Sequence, residues 1–414
     1  MAVTEEDPLM PLLDSRDDYI EYLESESAGA EPTGARLRKN LVKSYVLETM
    51  RHHPGAPNPA ETFAEVAGLA VDCLDEGTLY RLRRDHGVVA LIEGADTRFP
   101  VIHSTRRTQQ LDKLVRSTVT ASPWLDHVWL PGRFFDALWR WTRDTSDPNR
   151  LAKLKFAYTG HYEQIADGAI ADDIDEELEE EVVDEGAEDF DDEDVVREVR
   201  HSQFEVADRV AYLDQRLSGM RDIYHPLQST VRIRIPSGVR GGHEVYDFGK
   251  ITNRSVSFAE QEKVVRLVID LYRRVTEDAE EKLWYSSEPD EDGGAGFKGR
   301  PVYLDFEQPL DLMTLHTWAD RTFGSKRNRF RLGGHPIWSG PDRTRLHVYG
   351  IDRHLWQPIS IEATRKHILA VLPRGTCGNT INRLVTNVQQ FLSPSVQAWI
   401  GEFPYAELLE SGNN

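Results

Sequence analysis

Three arginine pairs, each with one residue between its members, open the chemical reading: Arg232/Arg234, Arg329/Arg331 and Arg343/Arg345. Each lies in a stretch that reads as a β-strand, and alternate residues of a strand project from one face. Arg343, Arg345, His347 and Tyr349 therefore share a face, with Leu346 and Val348 on the other. Lys326, Arg327, Arg353, Trp356 and Arg374 lie close by in sequence. Cations that meet phosphates, beside rings that stack bases, are the chemistry of single-stranded nucleic-acid binding. The stretch 321–383 carries 12 Lys/Arg against 3 Asp/Glu, which concentrates that chemistry in the C-terminal half. The expected function is polyanion binding on an Arg-rich sheet face, with DNA or RNA as the partner.

Other residue sets suggest other chemistry. The apolar run at 302–306 ends in Asp305 and Glu307, two carboxylates on one strand face, and Asp352 supplies a third. Such a set holds Mg²⁺ or Mn²⁺ in a metal-dependent nuclease or phosphoryl-transfer hydrolase. Outside that alternative no cofactor is expected. The loop 374–380 leads into a helix whose first N–H groups can hold an anion, with Arg374 and Arg383 at its flanks. It lacks the Gly-Lys-Ser/Thr ending of a P-loop, and a tight turn with an ordinary cap also accounts for it. The 14 histidines show neither the helical i, i+4 spacing nor the Cys/His pattern of a zinc site. An acidic N-terminal arm bearing Leu9, Met10, Leu12, Leu13, Tyr19 and Leu23 gives a third reading, an adaptor whose arm docks on a protein partner.

The elements that must position these groups follow from composition and periodicity. The 414 residues are 39% apolar and carry a formal charge of −21. Sixteen of the acids sit in 172–194, where no Lys or Arg occurs, and nine more sit in 1–26, so the body is close to neutral. A run of like charges cannot bury enough apolar area to fold, so 166–196 is expected to be a disordered linker competing internally for the cationic face. Only Cys73 and Cys377 occur, which excludes a disulfide framework and points to a reducing, cytoplasmic setting. No basic-then-apolar leader is visible and no apolar run is long enough to span a membrane, so no membrane role is expected.

The expected organisation is a flexible arm (1–40), a mixed α/β domain (41–165), the acidic linker (166–196), a helix-rich α/β segment (197–288), a Gly-rich connector (289–299) and a basic α+β domain (300–414). Helices are expected over 41–50, 63–74, 108–120, 133–143, 203–223 and 379–392. A long helix follows Ser257, where Ser257 and Glu260 form a capping box. Strands are expected over 88–92, 100–103, 230–235, 244–248, 302–306, 329–332, 343–349, 359–363 and 367–372. The fold class is α+β and multi-domain, with a C-terminal antiparallel sheet that packs its helices on one face.

Overall fold

The computed structural model describes residues 9–29, 41–49, 57–85, 87–158, 202–221, 230–283, 285–289, 295–324 and 330–410. Its centre is a strand where the sequence suggests a helix. β1 (Lys43–Thr49) has all seven residues buried. A strand covered on both faces loses the in–out alternation that would mark it, and its apolar spacing then fits a helix as well. β1 pairs antiparallel with β5 (Val101–Ser104) and β11 (Lys250–Asn253).

Around it runs a sheet of eleven strands. Its path is β2 (Ala70–Asp75), β3 (Leu79–Arg84), β4 (Gly87–Glu93), β5, β1, β11, β10 (Gly242–Tyr246), β9 (Thr230–Pro236), β7 (Leu151–Tyr158) and β8 (Ser202–Arg209). β6 (Leu125–His127) adds to β1 off that path. Strands from either side of the acidic run thus join one sheet, and Tyr158 lies opposite Ser202 in the β7–β8 ladder.

Two expected helices are shorter than their apolar residues suggest. The first, α2 (Pro59–Ala67), stops at Gly68, whose φ of +65° ends the helix in the left-handed region, and β2 follows. The second divides into β8 and α5 (Val210–Arg221). Phe204 and Val206 flank Glu205 with period two, and ladder pairing to β7 overrides the helical reading there.

Helices cover both faces of the large sheet. α2 and α3 (Thr108–Ala121) enclose Tyr45, Leu47, Phe63, Leu82, Ile92, Ile102, Leu111 and Val115 on one side. On the other lie α4 (Gly132–Thr145), α6 (Phe258–Lys282) and α8 (Gly378–Phe391). The Ser257 hydroxyl accepts the Glu260 N–H at 3.3 Å, so α6 begins at its expected cap. Its stripe of Val264, Val268, Leu271, Val275 and Ala279 is buried.

Those inner helices are shared with a second, seven-stranded antiparallel sheet in the C-terminal part. Its order is β15 (Leu332–Ser339), β16 (Arg345–Asp352), β17 (Gln357–Ala363), β18 (His367–Val371), β14 (Val302–Asp305), β19 (Gln397–Ile400) and β20 (Phe403–Pro404). A two-stranded ribbon of β12 (Tyr285–Pro289) and β13 (Ala295–Gly299) precedes it, and α7 (Leu312–Ala319) buries Leu315 and Trp318 beneath it. Leu346, Val348, Ile359, Ile361, Ile368 and Ala370 point inward. They belong to the same core as Ile233, Val245 and Ile251 of the large sheet. The fold is mixed α/β, and this smaller sheet keeps its helices on one face.

The N-terminal arm is built into the fold over residues 9–29. Met10 bridges to Val88, and α1 (Arg16–Ala28) buries Tyr19 and Leu23. The Glu24 carboxylate accepts the N–H groups of Phe258 and Ala259 at 2.6 and 3.0 Å, capping α6 from another element. The expectation of a loose arm is corrected here. Its sparse apolar residues suffice because charged residues between them also make contacts: Arg16 pairs with Glu93 of β4, and Glu24 caps α6.

Candidate anion-binding face of the larger sheet

Strand parity puts Ile233 and Ile235 of β9 into the core and turns Arg232 and Arg234 to the opposite face. Neighbouring strands extend that face. Lys155, Arg232 and Tyr246 lie side by side across β7, β9 and β10, as do Lys153, Arg234 and Glu244. Glu205 adjoins on β8, Thr252 and Lys250 on β11, and Arg254 follows two residues on. At one end α3 closes over the face, and Lys250 reaches Asp112 at 2.7 Å while the Tyr45 hydroxyl donates to the same carboxylate. At the other end the face opens beyond α3.

The open end is dense in charge. Lys153 and Arg232 hold Glu205 at 2.9 and 2.8 Å. Arg254 holds Glu244 at 2.8 Å, with Arg232 at 3.7 Å on its other side. Lys153, Lys155, Arg232, Arg234, Lys250 and Arg254 stand against Glu205, Glu244 and Asp112, twice as many cations as carboxylates. Burial pushes the Glu244 carboxyl up, but Arg254 and Arg232 outweigh it and hold it below its ordinary value. Burial likewise lifts Glu205, and the Lys153 hydrogen bond brings it below normal.

Arg234 is the unbalanced member. It makes no hydrogen bond or ion pair among the described residues. Burial, with Arg254 and Arg232 adding repulsion, lowers its affinity for its own proton despite the pull of Glu244. Its side chain lies flat across Gly242, where a Cβ would stand 3.4 Å from its Cγ and 2.6 Å from a backbone oxygen. An anion at Arg234 would relieve that repulsion, and a phosphate or carboxylate matches a guanidinium in geometry as well as sign.

The C-terminal candidates are not gathered into one cationic surface. Arg331 is buried at 8% exposure, and its guanidinium donates to the carbonyls of Leu125 and Ser122 at 2.7 Å each. It has a φ of +55° and lies outside any strand, because β15 begins only at Leu332, after both members of the Arg329/Arg331 pair. Arg343 sits in the turn before β16 at φ +52°. Arg345, His347 and Tyr349 do share the outer face of β16, but Arg345 and His347 both turn to Glu362, at 3.6 and 3.7 Å. Arg353 lies against Gly333, Trp356 is exposed on the β16–β17 turn, and Arg374 is exposed before α8. Lys326, Arg327, Arg329 and the acidic run lie outside the described residues.

The start of α8 is occupied by the protein itself. The Gly378 N–H donates to the Glu280 carboxylate at 3.1 Å, and Arg383 is fully buried between Asp126 and Asp352. That pairing also removes Asp352 from any metal set. Asp305 is exposed at the end of β14, which β17 and β18 separate from β16. Glu307 is exposed just beyond it. Among the described residues no group of three His, Cys, Asp or Glu is placed to hold a metal ion. No described helix is long and apolar enough to cross a membrane.

The sequence reading missed Lys153, Lys155, Glu205, Glu244 and Arg254. The signal was present as Lys-x-Lys in β7 and as the spacing of Lys250, Thr252 and Arg254. What was missing is the order of strands that sets them beside Arg232 and Arg234.

The chain aligns over 413 residues with the uncharacterized protein MJECL33 of Methanocaldococcus jannaschii, at 21% identity, covering 92% of this chain and 93% of the relative. No solved structure matches it. Residues 18–404 match the MJECL33-like protein family, a span that takes in both sheets and the helices between them, and the chain belongs to that family.

Proposed function

We propose that this protein binds a phosphate-bearing polyanion, single-stranded nucleic acid foremost, across the open end of the large sheet's charged face. The observation that carries the reading is Arg234, a half-buried guanidinium without a hydrogen-bonded partner among the described residues, within a face whose cations outnumber its carboxylates two to one. Tyr45 and Tyr246 are buried, so affinity here comes from phosphate contacts rather than base stacking, and sequence preference is weak. The acidic run 172–194 competes for the same cations. In sequence the run lies between Tyr158 and Ser202, which pair at the ends of the two strands that carry Lys155 and Glu205. Cys73 and Cys377 are both free thiols, in keeping with a reducing, cytoplasmic setting.

The test is titration of a fluorescent single-stranded oligonucleotide against the full chain at several salt concentrations. Arg234→Ala with Lys153→Ala should weaken binding and flatten the salt slope by about 0.7 for each phosphate no longer neutralised. Equal affinity and slope in the folded double variant overturn the reading.

A further inference from the structure

The outer face of the smaller sheet carries a different chemistry. Ser339 ends β15, His347 lies on β16 and Glu362 on β17, and cross-strand register sets His347 directly opposite both Ile337 and Glu362. Parity turns all three side chains to the solvent side. The Ser339 hydroxyl is 3.1 Å from His347 Nε2, and His347 Nδ1 is 3.7 Å from a Glu362 oxygen. The remaining Glu362 oxygen faces Arg345 at 3.6 Å. His347 and Glu362 keep 32% and 35% of their side-chain surface open, so the array is reachable from solvent.

Two further observations mark the place. His347 and Glu362 line a depression of about 190 Å³ with Tyr349, Ser360, Leu369 and Val371, on the β17–β18 side of the array and apart from Ser339. The turn that follows Ser339 is strained: Gly340, Asp342 and Arg343 all have positive φ, at 80°, 57° and 52°. Strain in non-glycine residues persists only where the surroundings hold it, and it gathers at functional sites.

A hydroxyl within hydrogen-bond reach of an imidazole, whose far nitrogen faces a carboxylate, is the arrangement of an activated serine nucleophile. We propose that Ser339, His347 and Glu362 form a hydrolytic site for carboxylic esters. Ser339 Oγ attacks the carbonyl carbon as its proton passes to His347 Nε2. The bond to the alkoxide breaks, and the alkoxide takes that proton. Water, giving its proton to the same nitrogen, then hydrolyses the acyl-serine and restores the hydroxyl. Glu362 is a positioning residue that keeps the Nδ1–H of His347 directed to itself.

The experiment is incubation of the full chain with a fluorophosphonate, followed by intact mass and peptide mapping, alongside turnover of 4-nitrophenyl acetate and butyrate. The expected result is one adduct on Ser339, absent in Ser339→Ala, and ester turnover that falls to the buffer rate in the same variant. His347→Gln should slow labelling by about a hundredfold or more, the scale of general-base catalysis. Glu362→Ala should slow it about tenfold while Glu362→Asp restores part of the rate, with the melting temperatures of both matching the parent. No adduct on the parent chain, or an adduct and turnover that survive Ser339→Ala, overturns the proposal.

Discussion

Arg383 shows how much a single buried charge organises this protein. It lies at full burial between Asp126 of β6 and Asp352 of β16, so one guanidinium ties the large sheet to the small one. Thr380 and the His354 N–H complete the shell of Asp352. Replacement by Met would leave two carboxylates buried against each other, and breaking a buried pair in this way costs about 3–5 kcal/mol. Urea denaturation of Arg383→Met should register that loss. Two histidines set the acid limit of stability. Burial pushes His243 down to about 4 and His354 to about 4, and the His354 Nδ1 faces the Arg331 guanidinium, which can only donate. Their unfolded values are near 6.5, so the unfolded chain binds more protons between about pH 6.5 and 4. Stability is therefore full above about pH 6.5 and falls towards pH 4, by at most roughly 3 kcal/mol per histidine. A melting temperature that stays flat from about pH 7 to 4.5 contradicts this, and His243→Leu should reduce the slope.

At the scale of elements, close packing of α6 on α8 sets the tightest tolerance. A Cβ at Gly378 would lie 2.5 Å from the backbone oxygen of Thr276. Gly378→Ala must push the helices apart, which should destabilise by about 1–3 kcal/mol, readable as a lowered melting temperature. The sequence showed most elements whose amphipathic pattern is one-sided. α3, α4, α6 and α8 begin and end close to where periodicity and capping residues place them. It misled where burial is two-sided, as at β1, and where tertiary pairing competes with a helical pattern, as at β8. The R-x-R spacing was informative at Arg232 and Arg234, which lie on a strand and on one face. It was uninformative at Arg331, because strand boundaries cannot be read to a single residue and Arg331 falls just outside β15.

At the scale of the whole molecule, charge is partitioned rather than spread. Acids fill 172–194, while cations outnumber acids on the open face of the large sheet and in 321–383. Deletion of 172–194 should leave the melting temperature nearly unchanged and tighten oligonucleotide binding at low salt. The gain should fade above roughly 0.15 M, where the screening length is about 8 Å. Deletion that lowers the melting temperature by ten degrees or weakens binding contradicts the competitor role. The net charge alone, at −21, conceals this arrangement, and only the local count and strand order expose it.

The pairing of Tyr158 with Ser202 has a consequence for how the polypeptide can be divided. Everything before the acidic connection supplies β1 to β7, and everything after it supplies β11, β10, β9 and β8, which interleave in one ladder. Neither piece can complete the sheet by itself, since β1 needs β11 beside it and β9 needs β7. Two separately translated halves, 1–165 and 197–414, should therefore be poorly soluble alone and assemble when co-expressed. The break would make a split protein whose reassembly is dictated by strand register, a ready frame for reporting on whatever brings the halves together.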